Sequence, residues 1–311
     1  MKYMKLRIVP LILIITILLS TSCSQPEIQI GTEIAIEDDS PTEGGVLNIG
    51  CIEPHSFNPL LVNSKSYNDV AKLLFNGLVE YDSTLKPVLV LAENIYKMDG
   101  KDEFIVKLKE NIRWSDGEPF TSEDVIYTIN TIKNSNDSIY KPRVELIDSY
   151  KAEDKYNIKI RFKGFAYNIY DHLNFPIVPK HVFQYNPSSV PVGTGLYKVV
   201  AYNKLKYMEL ERNQYSVQQA SPYISKIIIN FIKDTDSFDT AFQAGQIDLI
   251  NTTSYDWEKY KESKNVNTYK YISRDFEFIL INFKNPVLSD IYIRKALMHG
   301  INRTAIIEKY F

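Results

Sequence analysis

Polar and apolar positions alternate over two short stretches of this chain, first at Phe104, Val106 and Leu108 and then at Ile158, Ile160 and Phe162. That is the period of a strand with one face buried. Residues 46–50 and 197–202 read as further strands, and the Ile227-Ile228-Ile229 run within 226–232 reads as a buried one. Elsewhere the period is helical. Val70, Ala71, Leu74 and Leu78 predict a helix over 67–78 that closes at Gly77 or shortly after. Val125, Ile126, Ile129 and Ile132 predict an amphipathic helix with Thr121 as N-cap and Asp124 as the carboxylate half of a capping box. Residues 236–245 read as a helix with Phe238, Ala241 and Phe242 inward. Near the end, 278–283 (Phe-Ile-Leu-Ile-Asn-Phe) reads as a strand. Residues 288–297 and 301–307 read as helices, capped by Ser289 or Asp290 and by Thr304. Turn chemistry separates these elements: Phe57-Asn58-Pro59-Leu60, Asp99-Gly100, and Ser115-Asp116-Gly117, where Gly117 can take positive φ.

Composition adds bounds. With 311 residues, 44% apolar and 24% charged, the chain has material for more than one core. A net charge of −2 gives no electrostatic case for nucleic acid, which needs a clustered basic face. At the N-terminus, Lys2, Lys5 and Arg7 precede an apolar stretch over 9–19, and Ser20, Thr21 and Ser22 lead to Cys23. Residues 1–22 therefore read as a secretory signal, too short to span a bilayer. Cys23 resembles the lipidated first residue of a processed bacterial lipoprotein, although Ser20 stands where that pattern has a branched apolar residue. Residues 23–43 are polar and acidic and read as a lipid-anchored flexible tether. Cys51 is the other cysteine, so no disulfide, Cys-x-x-Cys pair or zinc spacing exists once Cys23 is lipidated.

Candidate chemistry is sparse. The four carboxylates Asp116, Glu118, Glu123 and Asp124 sit where turns and caps want them. His181 has no second ligand at metal spacing. Gly193-Thr194-Gly195 lacks the Gly-Lys-Ser/Thr of a phosphate loop and is followed by a strand, so it reads as a tight backbone turn. Asp248 could contact a charged ligand. Gly-x-Ser-x-Gly and His-Glu-x-x-His are both missing, and the four histidines are scattered. A secreted hydrolase is the least favoured class.

Several motifs carry a resemblance. Trp114-Ser115-Asp116-Gly117, Pro119-Phe120-Thr121 and Glu123-Asp124-Val125 are similar to the W-S-D-G-x-P-F-T-x-E-D-V signature of the family 5 extracellular solute-binding proteins, the peptide and nickel receptors of ABC importers. Residues 44–50, 57–60, 81–91, 175–183, 191–197, 208–213 (a strand end in the family) and 245–249 resemble further family segments in order, as do 278–283, 288–297 and 301–307. The resemblance implies an α/β, periplasmic-binding-protein-like (type II, family 5, cluster C) two-lobed fold. It divides the chain into a first lobe at 44–80 and 191–270 with a mixed sheet, a small α/β insertion at 81–190, and the start of a second lobe at 271–311. The chain stops at Phe311 inside an apolar helical pattern, so it reads as a C-terminally truncated member whose second lobe is largely missing and whose sheet edges are unpaired. The implied function is binding, not catalysis: capture of peptides outside the membrane and delivery to ABC permease subunits by a monomeric, lipid-anchored receptor that needs no cofactor or metal. Nickel chelate, haem or oligosaccharide are the alternative ligands, and a non-functional remnant is the alternative of another class. The residues expected to line the cleft are Phe57, Asn58, Tyr255, Trp257, Asn282 and Phe283.

Overall fold

The structure is a computed structural model that describes residues 40–62, 64–99, 102–164, 168–186, 190–218, 221–251, 258–261, 263, 265–269 and 278–310. The expectations for the signal, Cys23 and most of the tether lie outside these residues, as do Tyr255 and Trp257.

Two four-stranded sheets organise the rest. In the first, β1 (Gly44–Cys51) runs parallel to β10 (Ile224–Phe231). β9 (Tyr207–Arg212) and β8 (Tyr197–Asn203) follow antiparallel, giving the order β1-β10-β9-β8. On the free side of β1, Leu249 makes a parallel bridge to Ile49. The sheet is therefore mixed, as the resemblance implied. The second sheet is antiparallel, in the order β4 (Ala92–Lys97), β5 (Glu103–Leu108), β7 (Asn157–Phe162), β6 (Ile147–Ala152). Its alternating residues behave as their period predicts: Val106, Leu108, Ile158 and Ile160 are fully buried. A small hairpin, β2 (Val79–Tyr81) with β3 (Pro87–Leu89), stands between the sheets in sequence.

Helix α1 (Lys65–Leu74) starts at Ser64, whose side chain accepts the Tyr67 N–H, and buries Tyr67, Val70, Ala71 and Leu74. Burial of each of the larger of these contributes about 1.5–3 kcal/mol. It ends at Leu74, earlier than the apolar period suggested. Leu78 is buried beyond the helix, and Gly77 pairs with Pro176. A Cβ on Gly77 would lie 2.8 Å from the Phe175 carbonyl oxygen, so glycine serves close approach here and not a helix stop. Helix α2 (Ser122–Asn134) buries Val125, Ile129 and Ile132, and the Asp124 carboxylate accepts the Thr121 N–H at 2.9 Å, the expected half of the capping box. Gly117 takes φ of 96°, as its turn requires. Helix α3 (Ser237–Gln243) follows β10, and Gly245 closes the connection at φ of 68°.

The last stretch differs from expectation. Residues 278–282 form no strand. A strand must pair its N–H and C=O groups with a neighbour, and among the described residues none lies beside this run. Its apolar side chains face solvent, with Leu280 85% exposed. Helices α4 (Ile291–Gly300) and α5 (Arg303–Tyr310) do form, and α4 buries none of its side chains. Asp290 caps α4 through its carboxylate, which accepts the Tyr292 N–H at 2.7 Å. Asn302, not Thr304, serves α5, with Asn302 Oδ1 accepting the Ala305 N–H at 3.0 Å. Among the described residues no helix is long and apolar enough to cross a membrane.

Candidate functional site

Parallel strands send their carboxyl ends to one edge of a sheet, and the loops that leave that edge form the customary ligand site of open α/β folds. Here β1, β10 and the Leu249 bridge end together. The Cys51 carbonyl accepts the Ile232 N–H at 2.8 Å, tying the two strand ends. The Ile52 N–H donates to Ser66 Oγ at 3.1 Å, tying the edge to the start of α1. An open recess of about 510 Å³ lies at the end of β10 and the start of α3, lined by Phe231, Lys233, Asp236, Thr240 and Gln246 among others. Asp234 beside it is committed to α3: its Oδ1 accepts the Ser237 hydroxyl at 2.6 Å and N–H at 3.0 Å, and these bonds hold its carboxyl below the usual range.

The Phe57 loop sits beneath this edge. Phe57 is 5% exposed, with its ring 5.0 Å from Tyr202 edge-on and 5.9 Å from Tyr67. Tyr67 donates its hydroxyl to the Phe57 carbonyl. Asn58 is equally buried. Its Oδ1 accepts the Leu60 N–H at 3.0 Å and its carbonyl accepts the Leu61 N–H at 3.1 Å, the signature of an Asx turn. Asn282 and Phe283, by contrast, are exposed. Asn282 Oδ1 accepts the Lys284 N–H at 3.0 Å, and the Phe283 ring lies 4.7 Å from the Arg294 guanidinium. The bonds of these two stay within 282–294, and the structure does not bring them to the Phe57 loop. Tyr255 and Trp257 are outside the described residues. Sequence reasoning passed over Glu53, Lys233 and Asp236, which only the topology places at one rim.

Two other groups invite a chemical reading and lose it. Cys51 is fully buried, and burial pushes its thiol up to about 12, so it stays protonated and inert. Asp124 adjoins a shallow depression of about 210 Å³ that His181 and Lys180 also line. Burial raises its carboxyl, against hydrogen bonds from the Lys180 N–H (2.9 Å), the Thr121 N–H and the Trp114 indole (3.4 Å). These donors are structural, so Asp124 is a joint that ties the Trp114 turn, α2 and the helical turn Lys180–Phe183. His181 extends the joint, with Nε2 2.8 Å from Asp116 Oδ2.

Gly193 and Gly195 resolve the remaining motif. A Cβ on Gly193 would stand 1.8 Å from the Leu74 carbonyl oxygen, and one on Gly195 2.4 Å from that of Leu73. The Gly195 N–H donates to Leu74 O at 2.9 Å. The two glycines press backbone against the carboxyl end of α1, where carbonyls wait for donors. That end attracts N–H groups and repels phosphate.

The family model described as "Bacterial extracellular solute-binding proteins, family 5 Middle" matches residues 86–311. The chain belongs to that family. The oligopeptide-binding protein AppA of Bacillus subtilis is 26% identical over 287 residues, covering 86% of this chain and 52% of AppA. The solved structure of AppA in complex with a nonapeptide matches at a TM-score of 0.64 and 25% identity, covering 86% of this chain and 56% of that one. The ABC transporter substrate-binding protein CtaP of Listeria monocytogenes matches at a TM-score of 0.72 and 26% identity, covering 86% and 57%. NikZ of Campylobacter jejuni, solved with Ni(L-His), shares the fold at a TM-score of 0.68 and 23% identity, covering 85% and 54%. The chain thus spans about half the length of the relatives it matches.

Proposed function

We propose that this family 5 protein is the extracytoplasmic substrate-binding component of an ABC importer that captures peptides and passes them to permease subunits. The observation that carries this reading is the match in sequence and fold to AppA, which is solved around a nonapeptide. The recess at the carboxyl edge supports it, because it is open and bordered by both signs of charge. An extended peptide would be held there by backbone hydrogen bonds and bridging water, with little demand on side-chain identity. In this reading Tyr255, Trp257, Asn282 and Phe283 are the residues that meet the ligand, and Phe57 and Asn58, buried within the lobe, support the site from inside. Export and anchoring through a lipid on Cys23 would hold the receptor at the outer face of the membrane.

Titration calorimetry of the full chain with pools of two- to nine-residue peptides tests the reading, with nickel–histidine, haem and an oligosaccharide as competitors. Saturable peptide binding with the peptides recovered intact by mass spectrometry is expected. Cleaved products would replace the receptor by a hydrolase. Binding of one competitor alone would reassign the ligand, and no saturable binding at all would leave the remnant reading.

A further inference from the structure

The β8–β9 hairpin turns on Lys204-Leu205-Lys206. The Lys206 N–H donates to the Asn203 carbonyl at 3.0 Å, so Leu205 is the third residue of a four-residue turn, and its φ is 62°. Glycine or asparagine ordinarily fills such a position, because a Cβ there crowds the carbonyl. The conformation is fixed from outside the hairpin. Both oxygens of Glu53 accept the Leu205 N–H at 3.1 Å, and Oε1 also accepts the Tyr202 hydroxyl at 2.6 Å. The side chain held in this way is 75% exposed, between two exposed lysines. Leu85 gives the contrast. It too has positive φ, at 61°, but its turn is shaped locally by Asp82 Oδ1, which accepts the Thr84 and Lys86 N–H groups. Among the described residues, Leu205 alone is a positive-φ leucine held out in solvent by a carboxylate from the ligand-side edge. Strain of this kind persists where the surroundings over-determine it, and it gathers at working surfaces.

We propose that the Lys204-Leu205-Lys206 tip is a docking knob for a protein partner whose matching surface is an apolar socket ringed by carboxylates. The inference rests on the importer reading above, under which that partner is the membrane component receiving the ligand. Tyr207 pairs with Asn230, so the tip stands beside the carboxyl end of β10, next to the recess. A partner seated there touches the receptor at the rim of its ligand site. A peptide side chain is a poorer occupant, since ligand subsites are concave and this knob is convex. A lipid surface is poorer too, because headgroups do not require a backbone held in one conformation.

The test compares purified full chain, with a radiolabelled tripeptide mixture as probe, and uptake of the same mixture by cells carrying each variant as the sole copy beside the native permease. Leu205→Gly removes side chain and strain together, Leu205→Asp adds a charge, and Lys204→Glu with Lys206→Glu reverses the flanks. Peptide affinity is expected within about twofold of the parent and uptake reduced at least about tenfold in all three, as for a central hot spot. Leu205→Gly should also melt at or above the parent temperature, which separates its loss of uptake from misfolding. Unchanged uptake in Leu205→Gly overturns the inference. So does affinity that falls as far as uptake, which would make the knob a ligand subsite. Sedimentation with phosphatidylglycerol vesicles that depends on Leu205 also overturns it, in favour of a lipid surface. A parent chain that binds no labelled peptide overturns the importer reading and this inference with it, whereas binding and uptake indifferent to Leu205 overturn the inference alone.

Discussion

Gly193→Ala is the substitution in which the packing argument is most exposed to refutation. The added methyl would be placed 1.8 Å from the Leu74 carbonyl oxygen, a separation that real Cβ atoms do not show, and the obstacle is backbone, not a yielding side chain. Relief requires the 191–197 segment or the end of α1 to retreat by about 1 Å or more, an overpacking that costs about 1–3 kcal/mol in a well-packed interior. The retreat also stretches the Gly195 N–H bond to Leu74 O and the Ser115 N–H bond to Gly193 O, both at 2.9 Å. Each is worth about 0.5–1.5 kcal/mol net, so the expected loss is about 2–6 kcal/mol. Against a typical domain stability of about 5–15 kcal/mol that is severe. Urea unfolding followed by tryptophan fluorescence reads it directly, since Trp114 is fully buried beside this turn and senses its opening. Gly300→Ala is the control, because its Cβ would meet nothing within 4 Å. If Gly193→Ala unfolds at the same urea midpoint as the parent, the close approach is not what glycine is there for.

Other substitutions test other links. Asp248→Ala should cost about 1 kcal/mol, because its Oδ2 accepts both the Asn48 N–H (2.7 Å) and the Asn48 amide group (3.0 Å) at an exposed edge; denaturant titration checks this. Leu280→Lys should change stability by less than about 0.5 kcal/mol while raising the monomer fraction in light scattering, since the leucine is 85% exposed. Acid should destabilise the fold through Asp82, Asp154 and Asp234, whose carboxyls are held low by hydrogen bonds from Lys86 N–H, Tyr156 N–H and Ser237 respectively. Their contribution is present above the unfolded value of about 3.9 and is lost as pH falls through the lower folded values, so melting curves of Asp154→Asn should show a shallower acid limb. Asp124 runs the other way: burial raises it, so its contribution is present below about pH 3.9 and fades as pH rises through the raised value, a slope that Asp124→Asn should remove.

Local chemistry made much of the fold legible. Period-two burial marked β5 and β7, and the Thr121–Asp124 pair marked the start of α2, because each depends on residues close in sequence. Boundaries set by distant contacts were not legible. Helix α1 stops at Leu74 because Gly77 must approach Phe175, and nothing near Gly77 announces that partner. The apolar run at 278–283 says what its residues prefer, yet a strand exists only beside another strand. At the site, Phe57-Asn58-Pro59-Leu60 read correctly as a turn. Its inward direction follows from Tyr67 and Tyr202, and Tyr202 arrives from the far side of the sheet. Glu53 carried no signal, since both its partners come from the β8–β9 hairpin.

The residues that reveal the family are, in this structure, its joints. Trp114 and Phe120 stack edge to face at 5.7 Å, Asp124 gathers structural donors, and the two glycines clamp α1. Asn213 extends the clamp, donating its side-chain amide to the Gly195 carbonyl at 2.9 Å. A motif that serves as a joint is constrained by the fold, not by the ligand. The carboxyl edge carries the opposite pattern, with exposed groups such as Lys233 and Asp236 on its loops. Exchanging those loops between relatives should therefore transfer ligand preference while leaving the unfolding midpoint within about 1 kcal/mol of the parent, and an exchange that moved stability but not preference would contradict this division of labour.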